Sequence, residues 1–172
     1  MKQMKRIKFL LIAIVLIAAY SCFDDPVEQE QIDYTPAREA ALLAEYIDTL
    51  EERDYNVDTA AVGIYYVIAE TGEGAYVQVG DSIGIEYTGF IPENGYVFDT
   101  SAKHYVNGLW KFRYIPGEGL IPGFEAALSL LNEGTEGLFI IPSGMAYGAT
   151  GSGAIPPYTT IAFQIKLVAI YE

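Results

Sequence analysis

The chain has 172 residues, a length that fits one main domain with a short extension, and 51% of them are hydrophobic, so it can bury a substantial core. Its formal net charge of -13 excludes a general nucleic-acid binder, because such a chain repels phosphate backbones. A single cysteine and a single histidine exclude a disulfide framework and a zinc site built from Cys and His.

Residues 1–21 have the pattern of a secretory signal peptide. Four basic residues precede an apolar run, Phe9 to Tyr20, that is too short to span a membrane as a helix. The segment Ala19-Tyr20-Ser21-Cys22 resembles the bacterial lipobox, in which the cysteine carries the lipid. Because the only cysteine falls at this position, the pattern favours a lipoprotein lipidated on Cys22 over an ordinary signal peptide with a chance cysteine.

Residues 22–34 form an acidic polar run, which predicts a flexible tether. Acidic residues directly after the cysteine resemble the surface-export signal of some Bacteroidetes lipoproteins, and an ordinary spacer explains them equally well. Removal of residues 1–21 takes away four basic residues and no acidic one. A lipid, rather than electrostatic attraction, would therefore hold the mature chain at an anionic membrane.

Residues 35–61 are predicted to hold an amphipathic helix, roughly 36–53, and a connection. Thr35 is a suitable N-cap, and Pro36 is suited to the first helical position. Apolar residues recur with helical spacing at Leu42, Leu43, Tyr46, Ile47 and Leu50. The opposite face is acidic, which favours packing against the following domain over binding to a membrane or a partner helix.

Residues 62–172 are predicted to form an α+β domain in which an antiparallel sheet wraps around one short helix. Strands are expected where β-branched and aromatic residues cluster between turn residues, at 63–68, 76–79, 82–90 and 160–168. The helix is expected over Pro122–Leu131, where Phe124, Ala127 and Leu128 share one face and Gly134 stops the run.

Most familiar catalytic patterns do not occur in this sequence. It has no dinucleotide fingerprint, no P-loop and no Gly-x-Ser-x-Gly nucleophile motif, and its many acids nominate no catalytic pair. His104 is interpreted as a surface or loop histidine. What stands out is aromatic material that either lines one apolar pocket or belongs to the core: Tyr87, Phe98, Trp110, Phe112, Phe124, Tyr147 and Phe163.

Several segments, taken together, resemble the FKBP family of peptidyl-prolyl isomerases in order and spacing. They are Ile85–Gly89, Val97–Ser101, Leu120–Leu128 and Ala146–Gly151, followed by Ala154–Pro157 and Ile161–Phe163. The resemblance covers roughly residues 62–172. It implies a bent, mostly antiparallel sheet around one short helix, and an apolar cup for a proline ring.

The resemblance also implies which residues form that cup. Its catalytic group would be Tyr87, Phe98, Asp99, Ile121 and Tyr147, and its substrate-binding group Trp110, Leu120, Phe124, Ile155 and Phe163. Three features depart from the family. Phe124 replaces the usual tryptophan at the floor, and one extra residue lies between Phe112 and Leu120, which bears on the assignment of Trp110. The loop between Tyr147 and Ile155 is about one residue short and lacks a histidine often found there. We expect altered substrate preference rather than lost activity.

The implied activity is non-covalent isomerisation of X–Pro bonds, with no metal and no cofactor. The partners would be proline-containing polypeptide clients in the bacterial cell envelope, where a lipid anchor holds the protein on the periplasmic side or at the outer membrane. The alternative is a proline-binding or chaperone-like module with little turnover. Both hypotheses leave the oligomeric state open.

Overall fold

The computed structural model describes residues 32–171. The strands are β1 (Asp58–Thr59), β2 (Tyr65–Glu70), β3 (Ser82–Ile91), β4 (Tyr96–Thr100), β5 (Trp110–Arg113), β6 (Glu136–Ile141) and β7 (Ile161–Tyr171). The helices are α1 (Pro36–Glu51), α2 (Ser101–His104) and α3 (Pro122–Ser129). The predicted signal peptide, the predicted lipidation site at Cys22 and the predicted tether up to residue 31 lie outside the described residues. None of the helices within 32–171 is both long enough and apolar enough to cross a membrane.

Helix α1 begins where the sequence predicts. The Thr35 hydroxyl oxygen accepts a hydrogen bond from the backbone N–H of Arg38 at 3.2 Å, and Pro36 occupies the first turn, where its missing N–H costs nothing. The helix ends at Glu51, two residues before the predicted boundary. Asp54 adopts a positive φ of 64° just beyond it, which turns the chain out of the helix.

The seven strands form one antiparallel sheet in the order β1-β2-β6-β7-β3-β4, and β5 also pairs with β3. Strands β5 and β4 pair with the same edge of β3. Strand β5 pairs with the first half of β3, and β4 pairs with its second half. Bulges interrupt the register of β3 with β7 and with β4. Such bulges bend strands, and the predicted fold class, an antiparallel sheet with one short helix packed on it, is confirmed.

The two faces of the sheet are covered by different helices. Alternate residues of β6 divide between two clusters, since Phe139 and Ile141 belong to the main core with α3, whereas Ile140 packs in a second cluster with Leu50 of α1. Helix α3 contributes Phe124, Ala127 and Leu128 to the main core. The predicted packing of the N-terminal helix against the domain is therefore observed.

One predicted strand is wrong. Residues 76–79 form no strand; Tyr76 makes a single bridge to Asn132 and is more than half exposed. The Asp81 carboxylate accepts a hydrogen bond from the N–H of Gln78 at 2.8 Å, which closes a turn where a strand would have continued. Strand β6, which was not among the predicted runs, instead lies between β2 and β7.

Candidate active site

An open cavity of about 540 Å³, a volume that includes its mouth in solvent, lies on the α3 side of the sheet. Its walls come from β3, β4, β5, β7, α3 and the loops before α3 and after β6. The lining residues are Tyr87, Asp99, Trp110, Gly119, Leu120, Ile121, Phe124, Tyr147 and Phe163.

Phe124, in the first turn of α3, forms the floor and is only 3% exposed. Its ring meets Phe163 edge to face, with centroids 4.8 Å apart, and Tyr87 at 6.0 Å with the planes nearly perpendicular. Such edge contacts are the favoured geometry of aromatic pairs. The floor is therefore a fixed aromatic surface, smaller than the tryptophan usual in the family that the sequence resembles.

A close approach of α3 to β6 sets the height of that floor. Gly123 precedes Phe124, and a Cβ atom at Gly123 would lie 2.2 Å from Cγ2 of Ile141. Any side chain at this position would displace the helix or Ile141. The Pro122-Gly123-Phe124 sequence thus positions the aromatic floor by allowing backbone-to-side-chain contact.

A bulge in β4 aims two consecutive residues at the cavity side of the sheet. Gly89 of β3 pairs with Asp99, and Phe90 pairs with Val97, so Phe98 is the extra residue between them. A bulge re-aims side chains that would otherwise alternate between faces. Asp99 consequently lines the cavity while Phe98 packs behind it.

Phe98 supports the wall of the cavity rather than lining it. Its ring lies edge-on to Phe163, with centroids 5.5 Å apart. Both rings cross the backbone of Gly89, where an added Cβ would lie 2.7 Å from Phe98 and 2.6 Å from Phe163. The absence of a side chain at residue 89 is therefore a packing requirement of the site.

Trp110, at the start of β5, forms the opposite wall within a stack of aromatic rings. It stacks on Phe112 at 4.2 Å between centroids and on Tyr105 at 5.7 Å, and it meets Tyr87 edge-on at 5.7 Å. Contact on several sides leaves the indole little freedom. The sequence assignment of Trp110 to the cup is consistent with this placement.

Among residues 32–171, Asp99 is the one carboxylate that lines the cavity. It accepts hydrogen bonds from the Tyr87 hydroxyl at 2.8 Å and from the N–H of Thr100 at 2.9 Å, and its Oδ1 lies 2.7 Å from Nε2 of His104. Burial alone would raise the pKa of Asp99, but the three hydrogen bonds outweigh it and hold the pKa below its ordinary value. Asp99 is therefore ionised at neutral pH.

The two tyrosines of the cavity have different roles. Burial and the hydrogen bond to Asp99 raise the pKa of Tyr87, whose hydroxyl is already committed to that carboxylate. Burial and the nearby charge of Asp99 raise the pKa of Tyr147 as well. Within residues 32–171 the Tyr147 hydroxyl donates no hydrogen bond, and neither does the backbone N–H of Ile121. Both donors are available to a ligand.

The cavity brings together eight of the ten residues that the sequence comparison nominated. Phe98 lies behind the wall, as described above. Ile155 lies in the core at 5% exposure, because the loop after Tyr147 folds back in a tight turn that pairs Ser152 with Ile155. Neither of these two is among the lining residues in the described part of the chain.

Two residues were missed by sequence reasoning. Gly119 lines the cavity with a φ of +91°, and the Gly-Glu-Gly sequence around it was the available signal. His104 is exposed, as expected for a surface histidine, but its contact with Asp99 ties it to the site. That contact forms because the short helix α2 directly follows β4. No residue pattern in the sequence predicts this helix.

Within residues 32–171, no cluster of three or more His, Cys, Asp or Glu side chains could hold a metal ion. The lining has one charged group, Asp99, in a mostly aromatic and aliphatic wall. This arrangement suits a compact apolar ring with a polar carbonyl beside it.

Residues 74–168 match the sequence profile of the family described as FKBP-type peptidyl-prolyl cis-trans isomerase. The chain is 34% identical over 133 residues to the FKBP-type 22 kDa peptidyl-prolyl cis-trans isomerase of Escherichia coli K12, a match that covers 76% of this chain and 62% of that protein. It is 30% identical over 119 residues to FkpA of the same organism, across 69% of this chain and 42% of that one. The chain thus spans about two fifths to three fifths of the length of these relatives.

Solved structures agree with the sequence matches. The crystal structure of FkpA from Escherichia coli superposes with a TM-score of 0.62 at 26% identity, covering 78% of this chain and 61% of that one. A peptidyl-prolyl cis-trans isomerase from Pseudomonas syringae superposes with a TM-score of 0.59 at 27% identity, covering 77% and 96%. With the profile match and the shared fold, the chain belongs to the FKBP-type peptidyl-prolyl cis-trans isomerase family.

Proposed function

We propose that the protein catalyses cis-trans isomerisation of X–Pro bonds in polypeptide clients. The observation that carries this proposal is an aromatic cup lined by two hydrogen-bond donors, from Tyr147 and Ile121, that have no partner within the described residues. In this proposal a proline ring occupies the cup, and the carbonyl oxygen beside it accepts hydrogen bonds from these two donors.

Such a cup lowers the rotation barrier without a covalent step. The planar X–Pro amide is held by delocalisation of the nitrogen lone pair, which gives a barrier of about 18–20 kcal/mol. Transfer from water to an apolar surface disfavours the dipolar planar form, and donors placed for the twisted form stabilise it selectively. The Phe124 floor and the Trp110 wall supply the apolar surface, and Tyr147 and Ile121 supply the donors.

Asp99 and Tyr87 are proposed to organise the cup rather than to contact the reacting bond as donors. The hydroxyl of Tyr87 is used by Asp99, so it does not compete for the client carbonyl. Burial and the charge of Asp99 raise the pKa of Tyr147 from its ordinary value of 10.0, so the Tyr147 hydroxyl is protonated at neutral pH and can donate.

A chymotrypsin-coupled assay on a short Phe–Pro peptide tests the activity. The purified protein is expected to accelerate the slow cis-to-trans phase in proportion to its concentration. Absence of acceleration together with measurable peptide binding would overturn the enzyme proposal and favour the alternative, a proline-binding or chaperone-like module. Absence of both would overturn any role for the cavity in prolyl recognition.

We also propose that a lipid on Cys22 anchors the protein in the bacterial cell envelope, where it assists folding of proline-containing envelope or secreted proteins. The support is the lipobox-like Ala19-Tyr20-Ser21-Cys22 sequence after an apolar segment of secretory length. A Cys22→Ala variant is expected to be lost from the membrane fraction. If that variant stays membrane-bound, the hydrophobic segment, and not a lipid, is the anchor.

A further inference from the structure

A chain of polar contacts leads from an exposed imidazole to the wall of the cavity. Nε2 of His104 lies 2.7 Å from Oδ1 of Asp99, and Oδ2 of Asp99 accepts from the Tyr87 hydroxyl at 2.8 Å. Asp99 and Tyr87 line the cavity, whereas His104 stands outside it at the end of α2. A change of charge on the imidazole therefore acts directly on Asp99, which is the one carboxylate in the cavity lining among residues 32–171.

We propose that His104 is a positioning residue that makes prolyl-peptide binding tighter as the pH falls from 8 to 5.5. In its protonated state the imidazole pairs with Asp99 by a charge-assisted hydrogen bond, which is stronger than the bond from the neutral ring. This inference rests on the proposed function to the extent that the cavity binds prolyl peptides.

The direction of this pH dependence follows from the desolvation of Asp99 when a peptide binds. The Asp99 side chain is about one third exposed, and a peptide that fills the cavity removes water from it. Burial of a carboxylate costs less when a cation is paired with it. Ligand binding is consequently favoured when His104 is protonated, and by linkage the ligand favours protonation of His104.

The other ionisable groups around this pair do not supply the same effect. Tyr105 meets the His104 ring edge-on at 6.2 Å, and the hydroxyl of Tyr87 reaches the other oxygen of Asp99. Tyr147 is close enough to Asp99 for its pKa to be raised by that charge. Lys103 lies beside His104 in α2, and a different recess next to Ser101 and Ala102 is lined by the charged residues Glu86, Glu136 and Lys166. Among side chains in ordinary surroundings, imidazole is the type that changes charge between pH 5 and 8.

The test measures the dissociation constant of a Phe–Pro peptide with blocked termini, from pH 5.5 to 8, for the wild type and two variants. His104→Arg keeps a cation at position 104 at every pH, and His104→Gln keeps position 104 uncharged. The wild type is expected to bind about two- to fivefold more tightly at pH 5.5, the range of a solvent-exposed ion pair. His104→Arg should bind the peptide at every pH with the dissociation constant that the wild type has at pH 5.5. His104→Gln should bind it at every pH with the weaker dissociation constant that the wild type has at pH 8.

Because His104 is the only histidine of the chain, its ring gives a single proton NMR signal that reports the same coupling without any variant. The midpoint of its titration is expected to move to higher pH when the peptide is added. An unmoved midpoint, or a His104→Gln variant that keeps the wild-type pH dependence, would overturn the inference while leaving isomerase activity intact. Failure of the peptide to bind at any pH would instead contradict the proposed function.

Discussion

Glu39 of α1 holds Ser143, a residue 104 positions later in the chain, by two hydrogen bonds. Its carboxylate accepts from the backbone N–H and from the hydroxyl of Ser143, each at 2.6 Å. The Thr160 hydroxyl donates to the same carboxylate at 2.9 Å. Ser143 also closes the turn around Tyr147, since its carbonyl accepts from the N–H of Gly148 at 2.8 Å. The N-terminal helix is thereby connected to the loop that carries a proposed substrate donor.

The first prediction concerns this connection. A Glu39→Gln substitution keeps the shape of the side chain but removes its charge, so the two hydrogen bonds to Oε1 weaken and the Ser143 hydroxyl must accept from the new amide instead of donating. The expected loss is about 1–3 kcal/mol in the free energy of unfolding, the range of hydrogen bonds to a charged group. Urea unfolding monitored by circular dichroism measures it.

Glu45→Gln is the matched control. Glu45 is an exposed residue of the same helix whose carboxylate makes no hydrogen bond within the described residues. Its replacement is expected to change the free energy of unfolding by less than about 0.5 kcal/mol. Equal losses in the two variants would mean that helix charge, rather than the contact with Ser143, sets the stability.

The second prediction concerns the proposed donor to the client. Tyr147→Phe removes the hydroxyl and keeps the ring, and the hydroxyl has no partner within residues 32–171 that would be orphaned by the change. The value of kcat/KM for a Phe–Pro peptide is expected to fall about two- to tenfold, the range of one hydrogen bond. The coupled isomerisation assay measures it.

Stability separates this prediction from a structural effect. Because no hydrogen bond within the described chain is lost, Tyr147→Phe should unfold at the wild-type urea concentration. Tyr96 is an exposed tyrosine of β4, and the control variant Tyr96→Phe should leave both activity and stability unchanged. A Tyr147→Phe protein with full activity would show that the hydroxyl does not act on the reacting bond.

The third prediction concerns the height of the pocket floor. Gly123→Ala places a Cβ atom 2.2 Å from Cγ2 of Ile141, so α3 and the Phe124 ring must shift. Overpacking of this kind costs about 1–3 kcal/mol, and peptide binding is expected to weaken with it. Gly144→Ala is the control, because a Cβ at Gly144 meets nothing within 4 Å. Similar losses of stability and binding in the control would contradict the packing argument.

Local patterns sufficed for much of the fold. Thr35-Pro36 marks a helix start because the Thr35 hydroxyl can accept from a free N–H of the first turn and Pro36 needs no partner there, and the spacing of Phe124, Ala127 and Leu128 places one face of α3 on the core. The strand predicted at residues 76–79 is wrong because the alternating pattern does not reveal that the Asp81 carboxylate accepts from the N–H of Gln78 and so forms a turn there.

The site likewise has residues that the sequence predicts and residues whose positions depend on tertiary packing. Aromatic residues such as Trp110 could be assigned because a cup needs flat apolar surface, which residue type reveals. The tight turn after Tyr147 that takes Ile155 into the core, and the bulge in β4 that sets the position of Phe98, have no local sequence signal. The contact of His104 with Asp99 depends on the angle between β4 and α2, which is set by tertiary packing and not by any local pattern.

The last prediction concerns the acid side of the stability profile. The pKa of Asp99 is lowered in the folded protein, so the folded state binds fewer protons than the unfolded chain near the ordinary value of 3.8. The stabilisation by Asp99 is then fully present above that value and is lost as the pH falls through the lowered pKa. We expect the difference in unfolding free energy between the wild type and Asp99→Asn to be larger at pH 5 than at pH 3.

Urea unfolding at the two pH values measures this difference. Asp48→Asn is the control, since Asp48 is an exposed residue of α1 whose carboxylate makes no hydrogen bond within the described residues. A difference for Asp99→Asn that stays constant between pH 5 and pH 3 would mean that its hydrogen bonds to Tyr87 and Thr100 do not depend on the negative charge. In that case the carboxyl would be held as firmly when protonated, and the ion pair with His104 would contribute nothing to the order of the cavity wall.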